Sequence, residues 1–503
     1  MTIIAGKPAS FWIDSTGDIN ASTFVNNALV DVAIVGAGIA GLTAATLLKR
    51  AGKTVAVIES RRIAIGTSGH TTAKVTSLHQ LIYADLIKEM GEEKARLYAQ
   101  SNQAAVEQVA KFVAEEQIDC DFSRQSAYTF AESPKNLNQI EAEVEAAAKL
   151  GLPVSFVRET SLPFPIIGAV RFENQAQFHA RKYLVHLAKN IPGNGSYLFE
   201  NTRVEGVDEG EPCQIKTSQG VVKAKDVIVA TNLPILDQGL FFAKTYPKRS
   251  YIIAAQIEPS KAPEGVFIGT GENYRSIRTT PYEKGLLLLI GGEGHKTGTV
   301  DDTEERYLRL EDYARARFGV DNFEYRWSTQ DMVSFDKVPY VGKLTPLNNH
   351  IYVATGFSLW GMSNGTMSGM LLSDLILGID NPWINLYDAT RATPFVSGTS
   401  LKENSNVAVH WVGARLKGLA SSLNEVTNDE GKIVTVDGQK VAAYRDEQGT
   451  MHAVSGVCSH LGCIVNWNQA EKSWDCPCHG TRYTYEGEVI RGPAIQDLEK
   501  INP

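Results

Sequence analysis

Val30-Asp31-Val32-Ala33-Ile34-Val35-Gly36-Ala37-Gly38-Ile39-Ala40-Gly41 is the stretch that decides the fold. Its first six residues form a near-continuous apolar run, as a central parallel strand buried on both faces requires. The glycines then follow the spacing Gly-x-Gly-x-x-Gly. Gly36 makes the tight turn, Gly38 lets backbone approach a pyrophosphate, and Gly41 lets the next helix close on the strand. Residues 42–50 have helical composition, and the start of that helix would turn a partial positive charge toward phosphates. Residues 54–58 read as a second buried strand. Glu59 stands at its end, where a carboxylate accepts hydrogen bonds from ribose hydroxyls. Strand, turn, helix, strand and acid in register make one βαβ unit and predict a dinucleotide site. Local spacing does not distinguish NAD from FAD.

Outward from this unit, residues 81–116 are rich in Ala, Glu, Lys and Gln and predict helices, as do 139–150 and 365–377. Residues 214–230 read as a hairpin leading into the strand Asp226-Val-Ile-Val-Ala230, and 251–292 and 323–352 are rich in strand formers. Residues 388–406 hold Thr, Ser, Pro and Asn without periodicity and mark a linker, and 407–421 predict a short helix at the module boundary. From Asn424 onward short strands alternate with Asp-Gly, Gln-Gly and Glu-Gly turns, the pattern of a small all-β domain. The expected class is therefore α/β plus all-β. An N-terminal extension (1–27) precedes a large module (28–385). Its dinucleotide part is discontinuous (about 28–80, 165–235 and 335–385), with an inserted α+β substrate part (about 81–164 and 236–334). A linker (386–423) and a C-terminal domain (424–503) follow.

At 503 residues the chain is too long for one ordinary core. A net charge of −8, from scattered Asp and Glu, argues against nucleic acid as a partner. The most apolar run, 286–290, is far shorter than the roughly 20 residues a bilayer requires, so no integral membrane segment is expected. Residues 1–14 do not read as a secretory signal, and the expectation is a cytoplasmic protein.

Of the six cysteines, Cys120 and Cys213 are isolated and read as small buried residues. Cys458, Cys463, Cys476 and Cys478 cluster with His460 and His479. The halves Cys458-Ser-His460 and Cys476-Pro-Cys478-His479 offer two thiolates and two imidazoles. That set suits a [2Fe–2S] centre with histidines on one iron, or a tetrahedral zinc site. The extra pair, Cys463 and Cys478, fits zinc poorly.

Cys458-Ser-His-Leu-Gly-Cys463, Cys476-Pro-Cys-His-Gly-Thr481 and Gly492-Pro493-Ala494 resemble the three loops of Rieske [2Fe–2S] domains of the cytochrome bc type. This resemblance implies Cys458 and Cys476 on one iron, His460 and His479 on the other, and a Cys463–Cys478 disulfide clamping the loops. Thr481-Arg-Tyr483 stands where that type has Ser-x-Tyr, and keeps the hydroxyl.

Residues 30–380 resemble the D-amino-acid oxidase-like FAD oxidoreductases, the group that includes glycine and sarcosine oxidases. Thr202-Arg-Val204 and Ala230-Thr231-Asn232 look like that family's second FAD contact. Arg278-Thr-Thr-Pro281, before Gly285-Leu-Leu-Leu-Leu-Ile-Gly-Gly292, looks like the strand bordering its substrate pocket. Asp336-Lys-Val-Pro-Tyr-Val-Gly342 and the passage from Ile351 through Gly356 to Trp360-Gly361-Met362 look like its closing flavin loop and helix. The resemblance implies FAD held by Gly36, Gly38, Gly41, Glu59, Val204, Thr231, Gly356, Trp360, Gly361 and Met362. It implies a substrate near Arg278, whose guanidinium suits a carboxylate; Arg275 is its neighbour. His70, in Gly66-Thr-Ser-Gly-His70, resembles the histidine that links covalently to flavin in dimethylglycine dehydrogenase-type relatives. His179 and His186, seven apart on an expected helix, read as core or surface residues before catalytic ones.

A flavin takes two electrons and releases them singly, whereas the cluster takes one at a time. The joint expectation is a dehydrogenase for a small-molecule amine, amino acid or hydroxy acid. It would pass electrons through the cluster to an external acceptor, a quinone, cytochrome or ferredoxin-like protein. An electron-transfer adaptor serving a protein partner and an oxidase with a structural cluster domain are the alternatives. A Rieske oxygenase needs two histidines and a carboxylate on a mononuclear iron, and the sequence shows no such set.

Overall fold

The computed structural model describes residues 4–19, 21–272, 274–392 and 422–502. The helix expected at 407–421 and most of the linker before it lie outside the described residues.

The glycine-bearing unit forms as read, with strand Ala28–Val35, helix Ile39–Arg50 and strand Val55–Ile58. Parallel pairing extends it on both sides. Val55–Ile58 takes Tyr197–Phe199, Ala28–Val35 takes Gly220–Val229, and that strand takes Ile351–Thr355. Tyr340–Lys343 closes the edge antiparallel. Each central strand is buried, which explains the unbroken Val and Ile runs. The last long helix, Gly361–Leu377, packs on Ile39–Arg50 through glycines. A Cβ on Gly365 would lie 2.5 Å from Ile39 Cγ2, and one on Gly369 would lie 2.6 Å from Thr43 Cβ. Both helices can therefore bring their N-termini to one end of the sheet.

The second sheet is mixed and ten-stranded, with its centre in Thr245–Ile257, Gly285–Lys296 and Phe323–Ser334. Gly168–Gln177 pairs with Ser123–Ala131 and Val154–Val157, so it belongs to this sheet. The boundary expected at 165 moves past 177, because alternation in a strand says which face is buried but not which sheet it joins. Within the N-terminal extension, residues 4–19 dock on the large module. Lys7–Pro8 pairs with Tyr325–Arg326, Phe11 and Trp12 are buried, and Trp12 Nε1 donates to Thr71 O at 2.6 Å. No helix of the described residues is long and apolar enough to cross a membrane.

The C-terminal domain has a three-stranded sheet (Glu430–Val436, Gln439–Arg445, Met451–Ser455) and a four-stranded one starting at Asn466–Asn468. Trp474 and Tyr483 fill its core. It docks on the large module through a buried charge network. Arg249, only 1% exposed, bonds to Glu471 and lies 3.6 Å from Asp475 Oδ2. Arg482 donates to Asp475 Oδ1 at 2.9 Å and to Glu471 Oε2 at 2.6 Å. Burial alone would raise the Glu471 carboxyl, but Arg249 and Arg482 bring it down to about 2. A carboxylate lowered in this way stabilises the docked state above its unfolded value and loses that contribution only as pH falls from about 4.5 toward 2. Arg249→Met should destabilise the docked chain by about 3–5 kcal/mol, because it strands a buried negative charge. Urea unfolding monitored at the C-terminal tryptophans reads this; a loss under about 0.5 kcal/mol would show that the network contributes little.

Candidate active site and cluster centre

A cavity of 1410 Å3 is walled by both sheets and by the C-terminal domain. It exceeds the roughly 300–1,000 Å3 of ordinary small-ligand pockets, as a dinucleotide requires. Gly36 has φ +105°, and a Cβ there would lie 2.6 Å from Ala230 O. A Cβ on Gly41 would lie 2.1 Å from Gly36 O. Gly41 therefore sits behind the wall and acts through packing, whereas Gly36 and Gly38 line the cavity. Glu59 Oε2 accepts from Ala37 N at 3.0 Å and Oε1 from Arg61 N at 3.0 Å. Val204, Thr231, Trp360, Gly361, Met362 and His70 also line the cavity, and Gly356 lies just outside it. Two helix N-termini, at Ile39 and Gly361, thus border one space, a setting that favours negative charge.

Arg278 stands on the expected strand, but its side chain does not reach the cavity. Its guanidinium is 1% exposed and donates to the carbonyls of Thr72, Ala73, Phe178 and Thr279, under the ring of Trp12. It lies off the cavity wall, so it is corrected from substrate ligand to interior brace. Ser276, two residues earlier on the same strand face, does reach the wall. The docked N-terminal segment and the Thr72–Ala73 backbone cover Arg278. Arg275 is paired with Glu293 at 2.5 Å. His179 caps the helix Ala180–Lys189 and packs on Trp12, while His186 lies 3.0 Å from Glu116.

In the C-terminal domain the loops bring Cys458, Cys476, His460 and His479 together. Both thiols are buried, and Tyr483 Oη lies 3.1 Å from Cys458 Sγ. The imidazole rings are 5.0 Å apart at 87°. His460 Nδ1 is buried without a hydrogen-bond partner, as a ligand nitrogen awaiting an ion would be. Burial, then His460, lowers His479 to about 3, so it is neutral, as ligation requires. The sulfurs of Cys463, Cys476 and Cys478 lie within 4.8 Å of one another, but Cys463 and Cys478 are joined as a disulfide. Two cysteines and two histidines therefore remain as donors. Both imidazoles face the large module. His460 Nε2 lies 3.0 Å from Asp237 Oδ1, and the Phe242 ring lies 5.8 Å from His460 and 5.2 Å from His479.

The family model described as FAD dependent oxidoreductase matches residues 31–375, and the Rieske [2Fe-2S] domain model matches 419–502. The chain belongs to the FAD dependent oxidoreductase family. It binds FAD and, in its Rieske domain, a [2Fe–2S] cluster. It is 36% identical over 502 residues to the putative Rieske 2Fe-2S iron-sulfur protein YhfW of Bacillus subtilis, covering 98% of each chain. It is 24% identical over 387 residues to gamma-glutamylputrescine oxidoreductase of Escherichia coli, covering 74% of this chain and 89% of that one. The fold is that of glycine oxidase from Geobacillus kaustophilus, with TM-score 0.62 at 19% identity over 73% of this chain and 99% of that one.

In this oxidoreductase the cavity wall beside Trp360 carries groups that the sequence did not single out. Lys74 Nζ donates to Ser276 Oγ at 2.5 Å and lies 5.5 Å from the Trp360 ring centroid. Burial, then the charge of Arg278, lowers its pKa to about 7. Arg278 therefore acts on the cavity at one remove. His79 stacks on Trp360 at 4.8 Å and lies 2.6 Å from Tyr98 Oη, and burial keeps it neutral down to about 3. The signal for Lys74 was slight: one lysine between Ala73 and Val75, in a segment otherwise fit for a buried strand.

Proposed function

We propose that the protein is a dehydrogenase for a small amine, amino acid or hydroxy acid that sends electrons one at a time through its cluster to an external acceptor. The observation that supports this most is the shared wall. Glu471, Arg482, Arg491 and Ala494 of the Rieske domain border the same cavity as the glycine loop and Trp360. Cys458 and Cys476 would hold one iron, and His460 and His479, the pair turned toward the flavin module, would hold the other. The FAD supplies two-electron oxidation of a C–H bond. The chain supplies position and proton handling: the Ile39 and Gly361 helix N-termini favour charge on the cofactor, and neutral Lys74 takes the proton from a substrate ammonium.

The test is anaerobic mixing with a panel of amines, amino acids and hydroxy acids, following flavin absorbance and the cluster's EPR signal together. At least one compound should bleach the flavin and bring up the reduced-cluster signal within the same turnover. Flavin that bleaches while the cluster stays oxidised would favour an oxidase with a structural cluster, and no bleaching at all would favour the adaptor.

We also propose His70, which lines the cavity, as a covalent attachment point for the flavin. Its Nδ1 lies 2.9 Å from Gly66 O, Nε2 has no partner among the described residues, and burial lowers it to about 4, leaving a neutral imidazole. Acid precipitation should leave a yellow pellet in the native chain and a colourless one in His70→Ala. A colourless native pellet removes this role.

A further inference from the structure

Arg491 belongs to the Rieske strand Val489–Arg491, yet its guanidinium reaches out of that domain. Nη1 donates to Gln330 O at 2.7 Å and Nη2 to Thr67 Oγ1 at 2.6 Å. Both acceptors are neutral and belong to the large module. Among the described residues Arg491 forms no ion pair, and burial, then the charges of Arg482 and Arg249, lowers its pKa to about 9 against the smaller pull of Asp331 and Glu471. Asp331 and Glu471 lie near it without pairing with it, and Arg249 and Arg482 add positive charge around it, so a buried cation in this setting is costly unless a further anion compensates it. Arg491 borders the cavity.

Its two anchors say what it serves. Thr67 precedes Ser68, whose Oγ accepts from Ile39 N at the first helix N-terminus, at 3.1 Å. Gln330 precedes Asp331, which accepts from Leu359 N at 2.8 Å, in the loop entering the second helix. The guanidinium is thus pinned between the segments that present both helix N-termini to the FAD.

The geometry points to Arg491 as a ligand for the negative charge of the FAD, lent to the flavin site by the Rieske domain. It follows that FAD binding and Rieske docking reinforce each other, since coupling between two binding events is reciprocal. This rests on FAD binding and not on the dehydrogenase reading, so it stands or falls separately.

The full-length chain is used in a His70→Ala background, so that no covalent link hides the equilibrium. Apoprotein from riboflavin-limited cells is titrated with FAD and with riboflavin, which lacks the pyrophosphate. Arg491→Gln should weaken FAD binding by roughly 10- to 100-fold, with Arg491→Lys in between. The cluster's EPR signal and iron content should stay unchanged, showing a folded domain. Unchanged riboflavin affinity would place the charge at the pyrophosphate. A parallel riboflavin loss with a lowered flavin midpoint potential would place it at the reduced ring. FAD affinity and midpoint that both match the parent overturn the inference. A second measurement needs no change at Arg491. Adding FAD to the apoprotein should increase amide-exchange protection of residues 489–494, and unchanged protection there also overturns it.

Discussion

Cys476→Ser is expected to abolish the cluster while leaving FAD in place. Cys476 is 1% exposed, and its loop is held by backbone bonds and by the disulfide beside it: Cys476 N donates to Thr481 O at 2.8 Å, and Gly480 N donates to Cys476 O at 3.0 Å. Serine fills nearly the same volume, so the domain should keep its shape, but a hydroxyl does not ionise at neutral pH and makes a poor iron ligand. Iron and acid-labile sulfide should fall to background while the flavin spectrum persists. Substrate-driven reduction of a one-electron acceptor should then drop by at least about 100-fold, with flavin reduction in single turnover within about twofold of the parent. Parent-level acceptor reduction without the cluster would mean that the flavin reaches the acceptor directly, and the relay would be lost from the account.

Much of this architecture was readable because short motifs carry their mechanics with them. Gly36 and Gly41 each have a steric duty that a side chain would violate, and Gly38 between them faces the cavity, so spacing alone located the turn, the phosphate approach and the helix contact. The Cys458–Cys463 and Cys476–Thr481 loops are similarly self-contained, since the four donors lie within about twenty residues. The parts that were not readable depend on segments far apart in sequence. Arg278 sits on the right strand face, but Trp12 and the Thr72–Ala73 carbonyls cover it, and nothing local reports that the N-terminal segment docks there. Lys74 acquires its environment from Ser276, Phe267 and Trp360, all roughly 200 or more residues away. Arg491 is ordinary within its own domain and becomes a cavity residue only because Arg249, Glu471, Asp475 and Arg482 fix the docking.

Lys74→Met should lower kcat/KM for the physiological substrate by roughly 100- to 1,000-fold at pH 8, the scale of a lost general base. Amine oxidation requires the substrate's nitrogen lone pair, so a bound ammonium must first give up a proton within the cavity. Burial, then Arg278, holds Lys74 to about 7. Above that pH its amine is neutral and accepts the proton; below it the group is already charged and cannot. The parent should therefore show kcat/KM rising through about pH 7, and Lys74→Met should lose that limb while keeping the limb set by the substrate. The substitution should not lower stability as it lowers activity. Between about 7 and 10.5 the unfolded chain holds the Lys74 proton and the folded chain does not, so the parent grows more stable as pH rises across that window. Methionine removes this term, and its thermal midpoint at pH 7 should equal or exceed the parent's. Low activity in a chain at least as stable as the parent separates lost proton transfer from damaged folding. A limb near pH 7 that survives in Lys74→Met would assign the proton to another group.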